Sequence, residues 1–174
     1  AGNANFENAN ATSADMRGAI LTSAQFAGAI LSDARLQGIQ ASGADFRSAN
    51  VRGANLQTAL LVGANFASAD LTGSRMESAD LSGANLTGSW LNETILAGAV
   101  FNGSNMTGSQ RRNAAVHGAS FKDVRFIDAD LSGLKGAETA DFEGACVSLS
   151  STLPATLTLP LCGTAVAPAA FASK

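Results

Sequence analysis

Large apolar residues recur at every fifth position over most of the chain, and this period restricts the fold more than any other feature. From Phe6 to Leu131, 26 such positions follow one another without an insertion, and 21 of them are Leu, Phe or Met. A helix advances about 100° per residue and a strand about 180°, so neither element would bring these positions to one face. The chain must instead turn a corner within every repeat unit.

The other positions of the unit also have a fixed character. Two residues before the large residue stands Ala in 19 units, Ser in four and Thr in one, with Ile39 and Val124 as exceptions. The residue directly before it is Asp or Asn in 12 units, and the second residue after it is commonly Gly, Ser, Asn or Asp, which favour turns. We therefore expect the large and small residues to point into a coil while the other three positions face solvent.

A second, longer period indicates four units per coil. When every fourth unit is aligned, five of the nine Phe residues fall in one column of inward positions: Phe6, Phe26, Phe46, Phe66 and, after Leu86 and Met106, Phe126. Rings one coil apart would lie about 4.8 Å from each other, which suits offset stacking. The repeat is long enough for about seven such coils.

Units such as Ala54-Asn55-Leu56 and Ala79-Asp80-Leu81 resemble the pentapeptide repeat family, whose pattern is Ala, Asp or Asn, Leu or Phe, and two variable residues. The resemblance covers roughly residues 4–133. It implies an all-β fold, a right-handed quadrilateral β-helix whose interior is filled by Leu or Phe and Ala. The handedness rests on the family alone.

The repeat register breaks after Leu131 and returns one residue out of phase at Ala140-Asp141-Phe142. We therefore expect a β-helix over residues 1–149, with a register slip near residues 132–139, and a C-terminal cap over residues 150–174. The cap carries all three prolines and no repeat, and we expect a short helical turn near residues 152–158. Such a cap would cover the unpaired strand edges of the last coil.

The only two cysteines, Cys146 and Cys162, lie at the final repeat and within the cap. A disulfide between them would close a loop of about 17 residues and stabilise the fold by about 3 kcal/mol in the chain-entropy model. It would also favour an oxidising compartment. The alternative is a pair of buried free thiols.

Composition and motifs argue against several functional classes. Eleven Lys and Arg against 14 Asp and Glu give a net charge of −3 without a block of like charges, so we expect no nucleic-acid binding. No apolar run of about 18 residues indicates a membrane span. His117, the single histidine, has no nucleophile or orienting carboxylate placed beside it. We expect no enzyme activity, no cofactor and no metal site.

Two departures from the repeat mark a candidate surface for a partner. Trp90, Ile95 and Val100 occupy three successive positions where Asp or Asn is expected, so they should point outward on three adjacent sides of one coil. Exposed apolar clusters often mark partner sites and Trp is enriched in hot spots, although single exposed apolar residues are ordinary. Arg111 occupies an inward position and is followed by Arg112. Because a buried unpaired charge is costly, we expect the coil to bulge there or the side chain to reach solvent.

The sequence thus favours a non-catalytic interaction protein with an unknown protein partner, as a monomer or a weak dimer. The family also includes DNA mimics that inhibit a topoisomerase, but that alternative needs a long acidic face. Asp15, Arg35, Asn55 and Arg75 follow one another on one side with mixed sign, so the outward rows do not provide such a face.

Short plant members of the family with a Cys-containing cap are similar to this chain in size and layout. That resemblance implies the thylakoid lumen of the chloroplast, with a bacterial periplasm or cytosol as the alternative. Some of those proteins are linked to thiol redox control, so a bond between Cys146 and Cys162 is expected to be redox-sensitive.

Overall fold

The computed structural model describes residues 2–163 together with a two-residue strand at 170–171, and the repeats wind into a right-handed quadrilateral β-helix. Every fifth residue from Asn5 to Ala115 forms a parallel bridge with the residue four units later. Coil 1 comprises residues 4–23, and each later coil comprises the next four units. The walls are numbered by the inward residues of coil 1: Phe6 on wall 1, Ala11 on wall 2, Met16 on wall 3 and Leu21 on wall 4.

Each corner of the coil is a tight turn closed by one backbone hydrogen bond. The amide of Ala9 donates to the carbonyl oxygen of Phe6 at 3.0 Å, and the contact recurs at the following corners. The second residue after every inward large position, from Asn8 to Gly133, has a positive φ. A turn with positive φ only at its third residue is type II, which Gly and Asn adopt at least cost. This geometry explains the Gly, Ser, Asn and Asp residues at that position of the repeat.

Successive coils are joined by backbone hydrogen bonds of the parallel type. On wall 1 the amide of Gln25 donates to the carbonyl oxygen of Ala4 at 2.8 Å, and the amide of Phe6 donates to that of Gln25 at 2.7 Å. Each wall offers one bridging residue, so longer strands are few. They are β1 (Arg125–Phe126), which pairs in parallel with β2 (Cys146–Val147), and β3 (Leu157–Thr158), which pairs antiparallel with β4 (Ala170–Phe171).

The aromatic column expected on wall 1 is confirmed over the first four coils. The rings are within 5° of parallel and their centroids lie 4.8, 4.8 and 4.6 Å apart: Phe6, Phe26, Phe46 and Phe66. Above them Leu86 and Met106 continue the column without rings. Stacked rings therefore line wall 1 in the N-terminal half of the interior, and buried Leu and Ala residues fill most of the rest.

A second aromatic stack fills the C-terminal half of the interior on wall 4. Phe101 and Phe121 stack with centroids 5.1 Å apart, and Phe142 stacks on Phe121 at the same distance. Phe126, on wall 1, is tilted by 57° against Phe121 and does not join either stack. The two stacks share no ring and stand on different walls.

One extra residue is accommodated in coil 7 by a 3₁₀ helix, Ala137–Thr139. Beyond it the bridging partner lies one residue further along the chain than in the earlier coils, so that Ser120 bridges Asp141 and Arg125 pairs with Cys146. The repeat resumes on the same four walls because the extra residue is confined to one corner.

The cap closes the last coil with extended chain. The amide of Val147 donates to the carbonyl oxygen of Pro160 at 2.9 Å, and the amide of Cys162 donates to that of Val147 at 2.9 Å. The disulfide Cys146–Cys162 fixes this segment to β2. Leu157 of β3 is buried, so the cap also covers the apolar end of the interior.

The helical turn expected near residues 152–158 is wrong. Thr152 forms a parallel bridge with Asp130, and the chain then turns into β3. A single tight turn follows, in which the amide of Leu157 donates to the carbonyl oxygen of Pro154 at 3.0 Å, and no helix forms at residues 152–158. The extended chain at Thr152 instead gains hydrogen bonds with Ala129 and Leu131 of the coil below. Pro168, the third proline of the expected cap, lies outside the described residues.

Thr58 offers a test of the corner geometry, because it is a β-branched residue at φ 56°. An L-residue in this region costs about 1–2 kcal/mol, and Gly avoids the clash at some cost in chain entropy. We expect Thr58→Gly to raise the free energy of unfolding by about 0.5–1 kcal/mol in chemical denaturation.

Gly63→Thr is the matched reverse change. Gly63 has φ 66° and nothing within 4 Å of an added Cβ, so any loss there is conformational and not steric. We expect a loss of about 1–2 kcal/mol. Equal stabilities for the wild type and both variants would contradict the dependence of the fold on positive φ at its corners.

Candidate interaction site

The structure places the three outward apolar residues on three walls of coil 5, as the repeat predicts. Trp90 lies on wall 2 with 50% of its surface exposed, Ile95 on wall 3 with 38% exposed, and Val100, half-buried, on wall 4. Adjacent walls face different directions, so a flat partner surface cannot cover all three side chains. Each residue must therefore be judged with its own wall.

Trp90 lies between two ion pairs on wall 2. Asp70 bridges it from the coil below, and the Asp70 carboxylate accepts a contact of 3.0 Å from Arg52. Above Trp90, the side chain of Arg112 in coil 6 contacts the carboxylate of Asp130 in coil 7 at 2.7 Å. The exposed indole thus has ion-paired side chains on either side along the coil axis.

Arg112 is the second predicted site residue on wall 2. Its backbone amide donates to Oδ1 of Asn92 at 2.9 Å, which ties the corner of coil 6 to that of coil 5. Its side chain is 64% exposed. The structure therefore brings Trp90 and Arg112 to one wall, one coil apart, and separates them from Ile95 and Val100.

Arg111 is not part of the surface, and the expectation of a bulge or a solvent-exposed side chain is wrong. The residue is fully buried. Its amide donates to the carbonyl oxygen of Asp130 at 2.8 Å, and the amide of Leu91 donates to that of Gln110 at 2.7 Å, so the pairing of coils continues on both sides. A bulge would break these hydrogen bonds between coils, and the side chain stays inside instead.

The buried guanidinium of Arg111 is only partly supported. One terminal nitrogen donates to the hydroxyl of Ser109 at 2.6 Å, and the guanidinium carbon lies 4.9 Å from the centre of the Phe126 ring, a cation–π distance. Its Nε and the other terminal nitrogen have no hydrogen-bond partner among the described residues. Burial lowers the pKa of Arg111 to about 9, so the group is still charged at neutral pH.

Half of the 14 carboxylates form ion pairs with arginine or lysine. Asp15 contacts Arg17 at 2.8 Å and Arg35 at 3.2 Å, and the hydrogen bonds from Arg17 lower the pKa of Asp15 to about 2. The Asp45 carboxyl likewise has a lowered pKa because the side chain of Arg47 donates hydrogen bonds to it. These pairs place a positive charge directly beside the carboxylates of Asp15 and Asp45.

The described residues offer little to a catalytic site. His117 is exposed, and residues 2–163 contain no group of three or more His, Cys, Asp or Glu side chains that could hold a metal ion. No helix in the described part of the chain is long and apolar enough to cross a bilayer.

The ion pairs beside Trp90 were missed at the level of sequence, although a signal exists. Arg52 directly follows inward position 51, and Asp70 directly precedes inward position 71, which lies above it on the same wall. Arg112 likewise directly follows inward position 111, and Asp130 directly precedes inward position 131 of the next coil. A search for opposite charges at these two positions of successive coils would have found both pairs.

Arg111→Met tests the cost of the buried cation. Met already fills inward positions 76 and 106, and replacing a buried ion by a well-packed apolar residue commonly stabilises by about 1–4 kcal/mol. The pKa of Arg111 is lower in the folded state than in the unfolded chain. The cost of burying its charge is therefore fully present below about pH 9 and declines as the pH rises above that value. We expect a gain of that size in the free energy of unfolding at pH 7.

Arg112→Met is the matched control. Its ion pair with Asp130 is exposed, so we expect a change under about 1 kcal/mol. A loss of stability in Arg111→Met would show instead that the buried guanidinium supports the interior.

Solved structures of similar architecture are pentapeptide repeat proteins and a resistance protein. Rfr23 from the cyanobacterium Cyanothece 51142 has a TM-score of 0.53 and 29% identity, over 54% of this chain and 63% of that chain, so less than two thirds of Rfr23 is matched. A thylakoid-lumen pentapeptide repeat protein from Arabidopsis thaliana has a TM-score of 0.48 and 32% identity, over 63% of this chain and 69% of that chain. QnrB1, a plasmid-mediated fluoroquinolone resistance protein, has a TM-score of 0.52 and 20% identity, over 85% of this chain and 81% of that chain. At that identity the last likeness concerns the fold alone.

Comparison with curated proteins gives no match. The family model for pentapeptide repeats matches in eight copies, at residues 2–38, 42–77 and 79–110. These residues make up more than half of the chain and carry the units that form coils 1 to 5 and the start of coil 6. The chain therefore belongs to the pentapeptide repeat family.

Proposed function

We propose that this chain is a non-catalytic interaction protein that binds another protein through wall 2, around Trp90 and Arg112. The observation that carries the proposal is the half-exposed indole of Trp90 on wall 2. Trp and Arg are the residue types most enriched among binding hot spots.

The surroundings of Trp90 match the general pattern of a protein interface. An apolar centre with a polar rim is typical of such sites, and here the rim is formed by the pairs Arg52–Asp70 and Arg112–Asp130. Because these charges are already paired, a partner that covers the indole does not have to bury an isolated charge. The wall itself is a rigid array of backbone bridges, so little ordering is needed on binding.

A DNA-mimic inhibitor of a topoisomerase is supported less well. Mimicry of duplex DNA needs a continuous negative surface, whereas Asp15, Asp45 and Asp70 are each paired with arginine. Paired charges leave little net field on these walls. We therefore favour a partner recognised by its apolar surface.

Trp90→Ala tests the proposed interface. We expect capture of the partner from an extract of thylakoid lumen to fall by more than tenfold, because hot-spot truncation costs about 2 kcal/mol or more. The melting temperature should stay nearly unchanged, since the indole is exposed and not part of the interior.

Ile95→Ala is the matched control for that experiment. Ile95 is also exposed and apolar but lies on wall 3 of the same coil. We expect it to retain capture. Equal capture by the wild type and both variants would rule out wall 2 as the binding surface.

We further propose that the protein works in an oxidising compartment, the thylakoid lumen, and that the disulfide Cys146–Cys162 is redox-sensitive. The bond supports the first part, because structural disulfides persist in oxidising surroundings. The bond supports the proposed redox sensitivity because it joins the cap to β2, the strand that pairs with β1 in the last full coil of the β-helix. A bacterial periplasm fits the disulfide equally well, whereas the cytosol fits it less well.

A redox titration tests the sensitivity of the bond. We expect a reduction potential above about −300 mV, within reach of cellular thiol systems. Reduction should speed amide exchange in β2 and residues 157–162 and leave coils 1 to 5 unchanged, and Cys146→Ala/Cys162→Ala should reproduce this pattern. A potential well below about −300 mV would mark the bond as purely structural.

A further inference from the structure

All buried polar or charged side chains of the described residues lie in one part of the interior. They fall between residues 74 and 111, on walls 1, 2 and 3 of coils 4 to 6, and we call them the polar seam: Ser74, Ser89, Thr94, Ser104, Ser109 and Arg111. Below and above the seam, the buried positions of the described residues are apolar. The interior therefore changes character within a short length of the solenoid.

The polar groups of the seam form no hydrogen bonds from one coil to the next. The hydroxyls of Ser89 and Thr94 donate to carbonyl oxygens three residues earlier, at 2.7 and 2.6 Å, within their own turns. Ser109 does the same, and Arg111 donates to Ser109 two residues away. Their hydrogen bonds are therefore local to one coil, whereas the contact of the Arg111 guanidinium with the Phe126 ring reaches the next coil.

Other polar atoms of the seam are buried without a partner among the described residues. They are the hydroxyls of Ser74 and Ser104 and two nitrogens of Arg111. Unpaired buried groups weaken packing against the neighbouring coil, because they lose hydration and gain no bond in return. The polar side chains of the seam thus contribute little to holding successive coils together.

Neither aromatic stack crosses from coil 4 to coil 5, at the lower edge of this layer, although Phe101 and Phe121 join coils 5 and 6 within it. The stack on wall 1 stops at Phe66, below the seam, and the stack on wall 4 begins at Phe101 and continues to Phe142. Each stack links successive coils through parallel rings. Between Phe66 and Phe101 this link is missing on every described wall.

In a solenoid each coil contacts only its neighbours, so cooperativity is set by the coupling at each interface. A weak interface divides such an array into units that open separately. We infer that the polar seam divides this β-helix into two cooperative units, an N-terminal unit of residues 4–73 and a C-terminal unit of residues 112–162. Backbone bridges across the seam, such as Asp70 to Trp90, hold the units in line while their side-chain coupling stays weak.

Amide hydrogen exchange at low guanidinium concentration tests the inference. Leu36→Ala opens a cavity in coil 2, and we expect it to accelerate exchange more than tenfold in peptides covering residues 24–63 while leaving residues 112–147 unchanged. Phe121→Leu in coil 6 should have the converse effect. Equal acceleration on both sides of the seam by either variant would overturn the division. If Leu36→Ala does not fold, Ile39→Val makes the same test with a smaller deletion.

A seam variant tests whether the polar residues are the cause. In Ser74→Ala/Ser104→Ala/Arg111→Met, the unpaired atoms are removed, so the effect of Leu36→Ala should spread into residues 112–147. The matched control Ser32→Ala/Ser42→Ala/Arg112→Met changes outward residues of the same types. In this background the faster exchange caused by Leu36→Ala should stay confined to residues 24–63. Confinement in both backgrounds would overturn the role of the seam.

Discussion

The corner turn is the constraint on which the rest of the structure depends. A single hydrogen bond closes each corner from that of Ala9 and Phe6 to that of Val124 and Phe121, and the residue before the donor takes a positive φ at every unit from Asn8 to Gly133. Four such corners return the chain to its starting wall, which aligns the bridging residues of successive coils. The inward columns, the aromatic stacks and the ion pairs between coils all follow from that return.

Backbone pairing between coils tolerates side chains that an ordinary interior would reject. Arg111 is buried with two nitrogens unpaired, yet the hydrogen bonds of its backbone are the same as those of its neighbours. The ladder is independent of side-chain identity, so a polar residue weakens an interface without displacing the chain. A solenoid can therefore carry local defects that would disrupt the packing of a compact domain.

The fold was predictable from sequence because each of the five positions has one environment. The Phe column from Phe6 to Phe66 and the outward position of Trp90 follow from the period alone. The burial of Arg111 did not follow, because the cost of an unpaired charge predicts a bulge, whereas the structure keeps the hydrogen bonds between coils on both sides of this residue. The extended cap also did not follow, since Thr152 pairs with Asp130 and local propensity does not reveal this distant partner. At the site, the period placed Trp90 on the surface, and its ion-paired neighbours were within reach of the same period, because Arg52 and Asp70 stand at fixed positions of successive coils.

The 3₁₀ helix at Ala137–Thr139 shows where the length of this protein can vary. The extra residue is confined to one corner of coil 7, and beyond it the chain still pairs with the coil below on the same walls, Ser120 with Asp141 and Arg125 with Cys146. An added residue within a wall would instead move the later inward side chains out of their columns. A corner is therefore where this β-helix can gain a single residue, whereas its walls can be extended only by whole repeat units.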